Sequence, residues 1–244
     1  MVSVIIPTLD PGEELVATLA ALVPAMVDEV VREVIIVDGG SSDRTEALAD
    51  ASGATFVRAP CGRGSQLATG ARNARHPWLL FLHADTVLEN GWHREVRAHI
   101  ERARRDSTCT DGPQVDRVRN DAAMRAAVFR FALDDHGWRP RLIEHGVALR
   151  CRLAAMPYGD QGLLISRALY DEIGGFREMP LFEDVDIVRR LGRRRLALLG
   201  ARAVTGARRY RDAGYTRRVL RNWWCLALYA AGRPIERIER IYHG

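Results

Sequence analysis

The chain has 244 residues, 47% of them hydrophobic, which is enough for a sizeable core in one large domain or two small ones and too apolar for a disordered segment. Its four cysteines, Cys61, Cys109, Cys151 and Cys225, follow neither C-x-x-C nor Cys/His ligand spacing, which argues against a disulfide framework or a structural zinc site. The net charge of +5 rests on arginine alone, dense in "RRLGRRR" and in residues 202–221, and suits an anionic partner; with no recognised motif or aromatic interleaving, nucleic acid is not expected.

Residues 3–7 read as a short apolar strand, followed by Asp10-Pro11-Gly12-Glu13 as a helix start with Asp as N-cap, Pro at the first position and Glu three residues on. Leu15, Val16, Leu19, Leu22, Val23, Met26 and Val27 then recur at helical spacing. A second buried strand, residues 34–37, ends in "DGGSSDRT", and Asp43 and Glu46 suit the cap of a helix running to about Ala51. The strand "TFV" follows, then a glycine-rich loop leading into a helix over residues 62–74, then a fourth strand over 78–82. Apolar strands separated by helices predict βαβ crossovers and an α/β fold with a parallel sheet covered on both faces. Loops after the first, second and fourth strands then lie at the carboxyl edge, where open α/β sheets bind ligands.

The second half is more mixed. Trp92, Val96, Ile100 and Ala103 mark one helix face, residues 107–119 a polar loop, and Met124, Ala127, Val128 and Phe131 another helix. "GLLIS" reads as a strand, "RALYDEIGGF" as a helix closed by glycines, and "FEDVDIVRRL" as a helix opening on acidic residues. Helices over about 216–231 and 234–242 finish the chain. The N-terminus enters a strand pattern at once, without a basic leader, and the apolar run 223–232 is half the ~20 residues that span a bilayer, so a cytoplasmic protein is expected.

Several residues invite chemistry. Asp38, beside Gly39, Gly40 and Ser41, suits either a hydrogen bond to a base or ribose, or a capped turn. "GRGSQLATGARNA" matches neither the Walker nor the dinucleotide spacing, leaving Arg63, Gln66, Arg72 and Asn73 as candidate base or diphosphate contacts. Asp85 at a strand's end suits a hard divalent ion such as Mg2+ or Mn2+, or the cap of a turn. His83 suits a second ligand, more at home with manganese, or a ribose donor. Glu183 and Asp184 offer a general base, and "PYGDQG" adds Asp160 and Gln161 in a tight turn suited to holding hydroxyls.

The series "VSVIIPTLDPGEEL", "VIIVDGGSSDRT", "LLFLHADT" and "PLFEDVDIVRRL" resembles the family 2 glycosyltransferases of the GT-A fold, and within them the small bacterial subgroup with "FLHADT" and "PYGDQG" that is associated with arsenosugar biosynthesis. The resemblance implies one domain over residues 1–244: a mostly parallel nucleotide-binding sheet between helices (1–90), a mixed acceptor-side half (91–210) and a C-terminal helical extension (211–244). It implies that Pro7, Thr8, Asp38, Gly39, Arg63, Gln66 and His83 bind the nucleotide and that Asp85, with His83 beside it, holds Mn2+ or Mg2+. Asp184 is implied as the base of an inverting transfer from a nucleoside diphosphate sugar, a UDP-sugar for preference, with Asp160, Gln161 and Glu183 near a small-molecule or lipid-linked acceptor.

Two positions depart from the family pattern: Leu9 stands where an aromatic residue is usual, and His83 where D-x-D has its first Asp. A rival reading is a nucleotide-sugar-binding protein without turnover. Another is a sugar nucleotidyltransferase, whose glycine-rich, basic loop should follow the first strand, where "PTLDPGEE" stands. Trp223, Trp224 and Tyr229, next to Arg217, Arg218 and Arg221, suit either a bilayer surface at the inner face of the membrane or packing on the catalytic domain.

Overall fold

The computed structural model describes residues 1–108, 126–154, 159–207 and 214–243. The N-terminal half runs β1 (Val2–Thr8), α1 (Glu14–Val27), β2 (Val31–Asp38), α2 (Thr45–Ser52), β3 (Thr55–Arg58), α3 (Arg63–Asn73), β4 (Trp78–Phe81), β5 (Thr86–Leu88) and α4 (Trp92–Thr108). The remainder runs β6 (Ala126–Asp134), α5 (Trp138–Ala154), a 3-10 turn (Gly159–Gln161), β7 (Leu163–Ser166), α6 (Arg167–Glu172), α7 (Glu183–Leu191), β8 (Leu196–Gly206), α8 (Tyr215–Ala230) and α9 (Ile235–His243). The eight strands of the described residues join one sheet in the order β3-β2-β1-β4-β7-β6-β8-β5.

Every residue of β1 is buried, as is all of β2 except Arg32. Strands buried on both faces can be connected only through helices that cover those faces, and β3, β2, β1 and β4 pair in parallel as that requires. Alternation along β1 sends Val2, Val4 and Ile6 to one core with Leu15 and Leu22 of α1, Ala49 of α2 and Trp92, Val96 and Ile100 of α4. Ile5 goes to the other core with Leu67 and Ala71 of α3, Leu169 of α6 and Ile187 and Leu191 of α7. Past β4 the sheet changes sense: β7 is antiparallel to β4 and β6, while β6 and β8 are parallel. Among the described residues no helix is long and apolar enough to cross a membrane.

The structure corrects four local expectations. The segment containing Ala127, Val128 and Phe131 is strand β6, not a helix; Met124 lies outside the described residues. "AAVFRFALD" is apolar on both sides because β6 sits between β7 and β8, and such a run loses the alternation that would reveal a strand. Residues 107 and 108 continue α4, and the rest of the expected polar loop, from 109 on, falls outside the described residues. Asp10 does not cap α1, which starts at Glu14; Asp10 turns back with φ 45° and accepts from the Ser42 and Asp43 amides at 2.7 and 3.3 Å, tying the β1 loop to the β2 loop. Finally, β5, β8 and α5 have no counterpart in the sequence reading; the mixed character expected of the second half enters with β7, antiparallel to β4 and β6.

Helix α3 lies so close to the sheet that Gly70 has no room for a side chain: a Cβ there would stand 2.3 Å from Cγ2 of Ile5 and 3.0 Å from Cγ2 of Val37. Gly70→Ala should therefore push α3 off β1 and β2 and cost about 1–3 kcal/mol by overpacking, against a slight gain in helix propensity. Urea denaturation checks this, and a variant as stable as the parent would contradict the close approach.

Candidate active site

Pro7, Thr8, Asp38, Gly39 and Gln66 meet where β1 and β2 end. Buried Gln66 donates through Nε2 to the carbonyls of Thr8 and Val37, 2.8 Å each, so α3 clamps both strand ends. Asp38 accepts from the Thr8 hydroxyl at 3.0 Å, from the Ser41 hydroxyl, and from the Gly40 and Ser41 amides at 2.9 and 2.8 Å. Burial acts to raise its pKa, but the hydrogen bonds from Ser41, Gly40 and Thr8 outweigh it and hold the carboxylate below its ordinary value. Asp38 thus organises the "DGGS" turn. Arg72 and Asn73, at the far end of α3, bond instead to Thr69 of their own helix.

His83 and Asp85 occupy the short connection between β4 and β5, half-buried, with His83 Nδ1 4.0 Å from Asp85 Oδ1. All three carbonyls of this connection are held. That of His83 accepts from the Thr86 amide at 3.3 Å, that of Ala84 from the Thr18 hydroxyl at 2.7 Å, and that of Asp85 from the Gly206 amide at 3.1 Å. Elements from both halves of the chain, α1 and β8, therefore fix where Asp85 points. Thr18 and Gly206 carried no signal in the sequence: a threonine inside an amphipathic helix and a glycine ending an unrecognised strand.

Glu183 and Asp184 open α7, aimed by Phe182, which adopts the left-handed conformation at φ 66°. That backbone is unfavourable for a residue with a side chain, and the Phe182 ring is held against Tyr229 of α8 with centroids 4.8 Å apart. Buried Glu183 lies 3.7 Å from Nε of Arg63. Asp184 accepts from the Val185 amide at 2.7 Å. The third acid of this turn, Asp186, is structural, accepting from Arg177 at 3.0 Å and Arg190 at 2.9 and 2.6 Å.

Arg63, His83, Asp85, Asp160, Glu183 and Asp184 all line one cavity of about 600 Å³, a volume suited to a small-molecule site. Its far wall, which the sequence did not reveal, comes from α5 and α8 and includes Trp138, Leu142, Arg150, Tyr215 and Trp223. The β1–β2 cluster of Pro7, Thr8, Asp38, Gly39 and Gln66 is not in this lining; Arg63, at the start of α3, connects the two groups. Gln161 stands in the wall behind, donating to the Phe129 carbonyl at 2.9 Å and accepting from Cys151 at 3.3 Å.

The cavity brings the carboxyl groups of Asp85, Asp160, Glu183 and Asp184 together with the guanidinium groups of Arg63, Arg139, Arg150 and Arg218, but burial weighs on two of the acids. Among the described residues, Asp160 Oδ1 is buried with no hydrogen-bond partner. Burial, reinforced by the charges of Asp184 and Asp85 and opposed by Arg150 and Arg63, pushes the Asp160 pKa to about 7. Burial and Asp184 push Glu183 to about 7 as well, with Arg63 opposing. From its ordinary value of 3.8 up to about 7, folded Asp160 keeps a proton that the unfolded chain has released, so stability falls as pH rises through that window. Asp160→Asn should flatten this fall in guanidinium melts run with divalent ions chelated; an unchanged slope would contradict the raised value.

The comparisons agree with this geometry. The family model "Glycosyl transferase family 2" matches residues 3–174. Comparison with curated proteins gave no significant match. Among solved structures, S. aureus TarS 1–349 is 14% identical with a TM-score of 0.60, covering 99% of this chain and 69% of that one. Glucosyl-3-phosphoglycerate synthase from Mycobacterium tuberculosis, in complex with Mn2+, uridine diphosphate and glucosyl-3-phosphoglycerate, is 20% identical with a TM-score of 0.56, covering 96% of this chain and 81% of that one. The same enzyme with Mg2+ and uridine diphosphate gives 20% identity, a TM-score of 0.56 and coverage of 96% and 80%. These neighbours share the GT-A arrangement of a curled sheet flanked by helices, and with the family model spanning most of its length the chain belongs to glycosyl transferase family 2 and is a glycosyltransferase.

Proposed function

We propose that the protein transfers a sugar from a nucleoside diphosphate sugar, UDP-linked for preference, to an acceptor hydroxyl with inversion. The observation that carries this reading is the single cavity in which Asp85 and His83, at the carboxyl edge of the sheet, meet Arg63 and the Glu183–Asp184 pair. Support for the donor comes from solved neighbours that hold uridine diphosphate with Mn2+ or Mg2+. The "FLHADT" and "PYGDQG" motifs keep the chain beside the small bacterial subgroup named above. In this reading residues 1–90 are the donor half and 91–210 the acceptor half.

The residues fit a divalent cation. One carboxylate and one imidazole, half-buried 4.0 Å apart at a cavity edge, make an incomplete shell, and among the described residues no three His, Cys, Asp or Glu side chains converge to complete it. Such a pair suits a hard cation that takes its other ligands from water and a diphosphate. When bound, that ion neutralises charge on the departing diphosphate. Arg63 adds a fixed positive charge in the same cavity, and the β1–β2 cluster shapes the loop against which the base lies, with Asp38 keeping the turn and Gln66 the strand ends. Asp184 takes the proton of the acceptor hydroxyl as it attacks the anomeric carbon from the face opposite the diphosphate. Glu183, driven towards its neutral form by burial and by Asp184 against the pull of Arg63, orients that turn, and Asp160 faces the acceptor.

Thermal shift against UDP-, GDP-, CDP- and dTDP-sugars, with and without Mn2+, tests the donor assignment. Metal-dependent stabilisation by a UDP-sugar is expected, and its loss in Asp85→Ala; equal stabilisation of Asp85→Ala would contradict the metal role. Asp184→Asn should keep that thermal shift while lowering kcat by about 10²–10⁴-fold. Release of free nucleoside diphosphate by the parent separates the enzyme from a protein that only binds the donor.

A further inference from the structure

Resting on the donor site proposed above, we infer that the acceptor is an alcohol with an apolar body, seated between α5 and α8 with its hydroxyl directed at Asp184. The cavity is divided. Its carboxylates stand on the β4–β5 connection, the 3-10 turn and α7, whereas the wall across from them carries Trp138 and Leu142 of α5 and Leu220 and Trp223 of α8, with Arg139, Arg150 and Arg218 beside them. Trp138 and Leu142 stand four residues apart on α5, and Leu220 and Trp223 three apart on α8, so each pair shares one side of its helix.

Four of these side chains also open to water at the mouth. Trp138 is 71% exposed, Leu142 64%, Leu220 69% and Trp223 61%. Large apolar side chains spent on an open cavity rather than on the core leave that surface to be covered by whatever enters. An alcohol with an alkyl or aromatic body fits both halves at once: the body removes the apolar wall from water, and the hydroxyl reaches the acidic wall. Because the same cavity holds both walls, one molecule spans them.

The test titrates the intrinsic tryptophan emission of the protein, loaded with UDP and Mn2+, with octyl β-D-glucoside below its critical micelle concentration and with methyl β-D-glucoside. The two share a sugar head and differ in the apolar body. Octyl glucoside should bind at least tenfold more tightly, and the difference should disappear in Leu142→Ser/Leu220→Ser and again in Trp138→Ala, two variants at exposed positions. Equal affinities, or an octyl preference that survives both variants, would overturn the assignment. So would sedimentation with anionic vesicles, or concentration-dependent dimerisation, that is lost in these variants while monomeric octyl glucoside shows no preference; the rim would then be a bilayer-docking or self-association surface. A thermal shift by UDP and Mn2+ is read separately on the parent: its absence defeats the donor reading, whereas its presence without alkyl preference defeats only the acceptor class.

Discussion

The connection from His83 to Asp85 is short, follows a fully buried strand and has all three carbonyls occupied by donors from the β5 start, α1 and β8. A loop held this way cannot shift one residue without breaking these hydrogen bonds, each worth about 0.5–1.5 kcal/mol. The position of the Asp85 carboxylate is therefore a property of the whole sheet rather than of the loop. β1 and β4 run in parallel with Ile5 beside Phe81, α1 crosses over them to bring Thr18 to Ala84, and β8 returns from the far side of the sheet to bring Gly206 to Asp85.

The acidic groups follow from the same arrangement. Asp38 and Asp186 are each saturated by donors from the chain, and both serve the fold at the edges of the site. Asp160 and Glu183 are buried with too little compensation, and both are driven towards neutrality near pH 7. Such uncompensated burial destabilises a domain and persists at sites where charge is to be supplied by a ligand. In the proposed reading, a cation and a diphosphate complete the electrostatics that the apoprotein leaves open.

Much of the donor half was legible because its physics is local. Strands of uninterrupted Val, Ile and Leu ending in "PTLD", "DGGSS" and "HADT" announce buried parallel strands and polar turns at one edge, and β1, β2, β3 and β4 stand where those runs are. The family resemblance through those motifs was confirmed at the level of family and fold. The acceptor half was less legible because its signals are tertiary. The run in β6 is apolar on both sides and so mimics a helix, while β8 alternates around Arg202 and glycines that read as surface. Helix α5 divides its apolar residues between the core, where Ile143 and Val147 pack against Phe131 and Leu133, and a cavity, a use indistinguishable in sequence from core packing alone. Thr18 could be found only by knowing that α1 crosses above Ala84.

The central claim is that Asp85, on its fixed connection, is the protein's anionic ligand for a donor-bound metal ion. A crystal structure of the protein with UDP and Mn2+, with anomalous data collected at the manganese edge, tests this most directly. The account predicts an anomalous peak within coordination distance of the Asp85 carboxylate and of the diphosphate oxygens, in the cavity shared with Arg63 and Asp184. Bound UDP with no manganese at Asp85, or manganese coordinated elsewhere in the cavity, would contradict it.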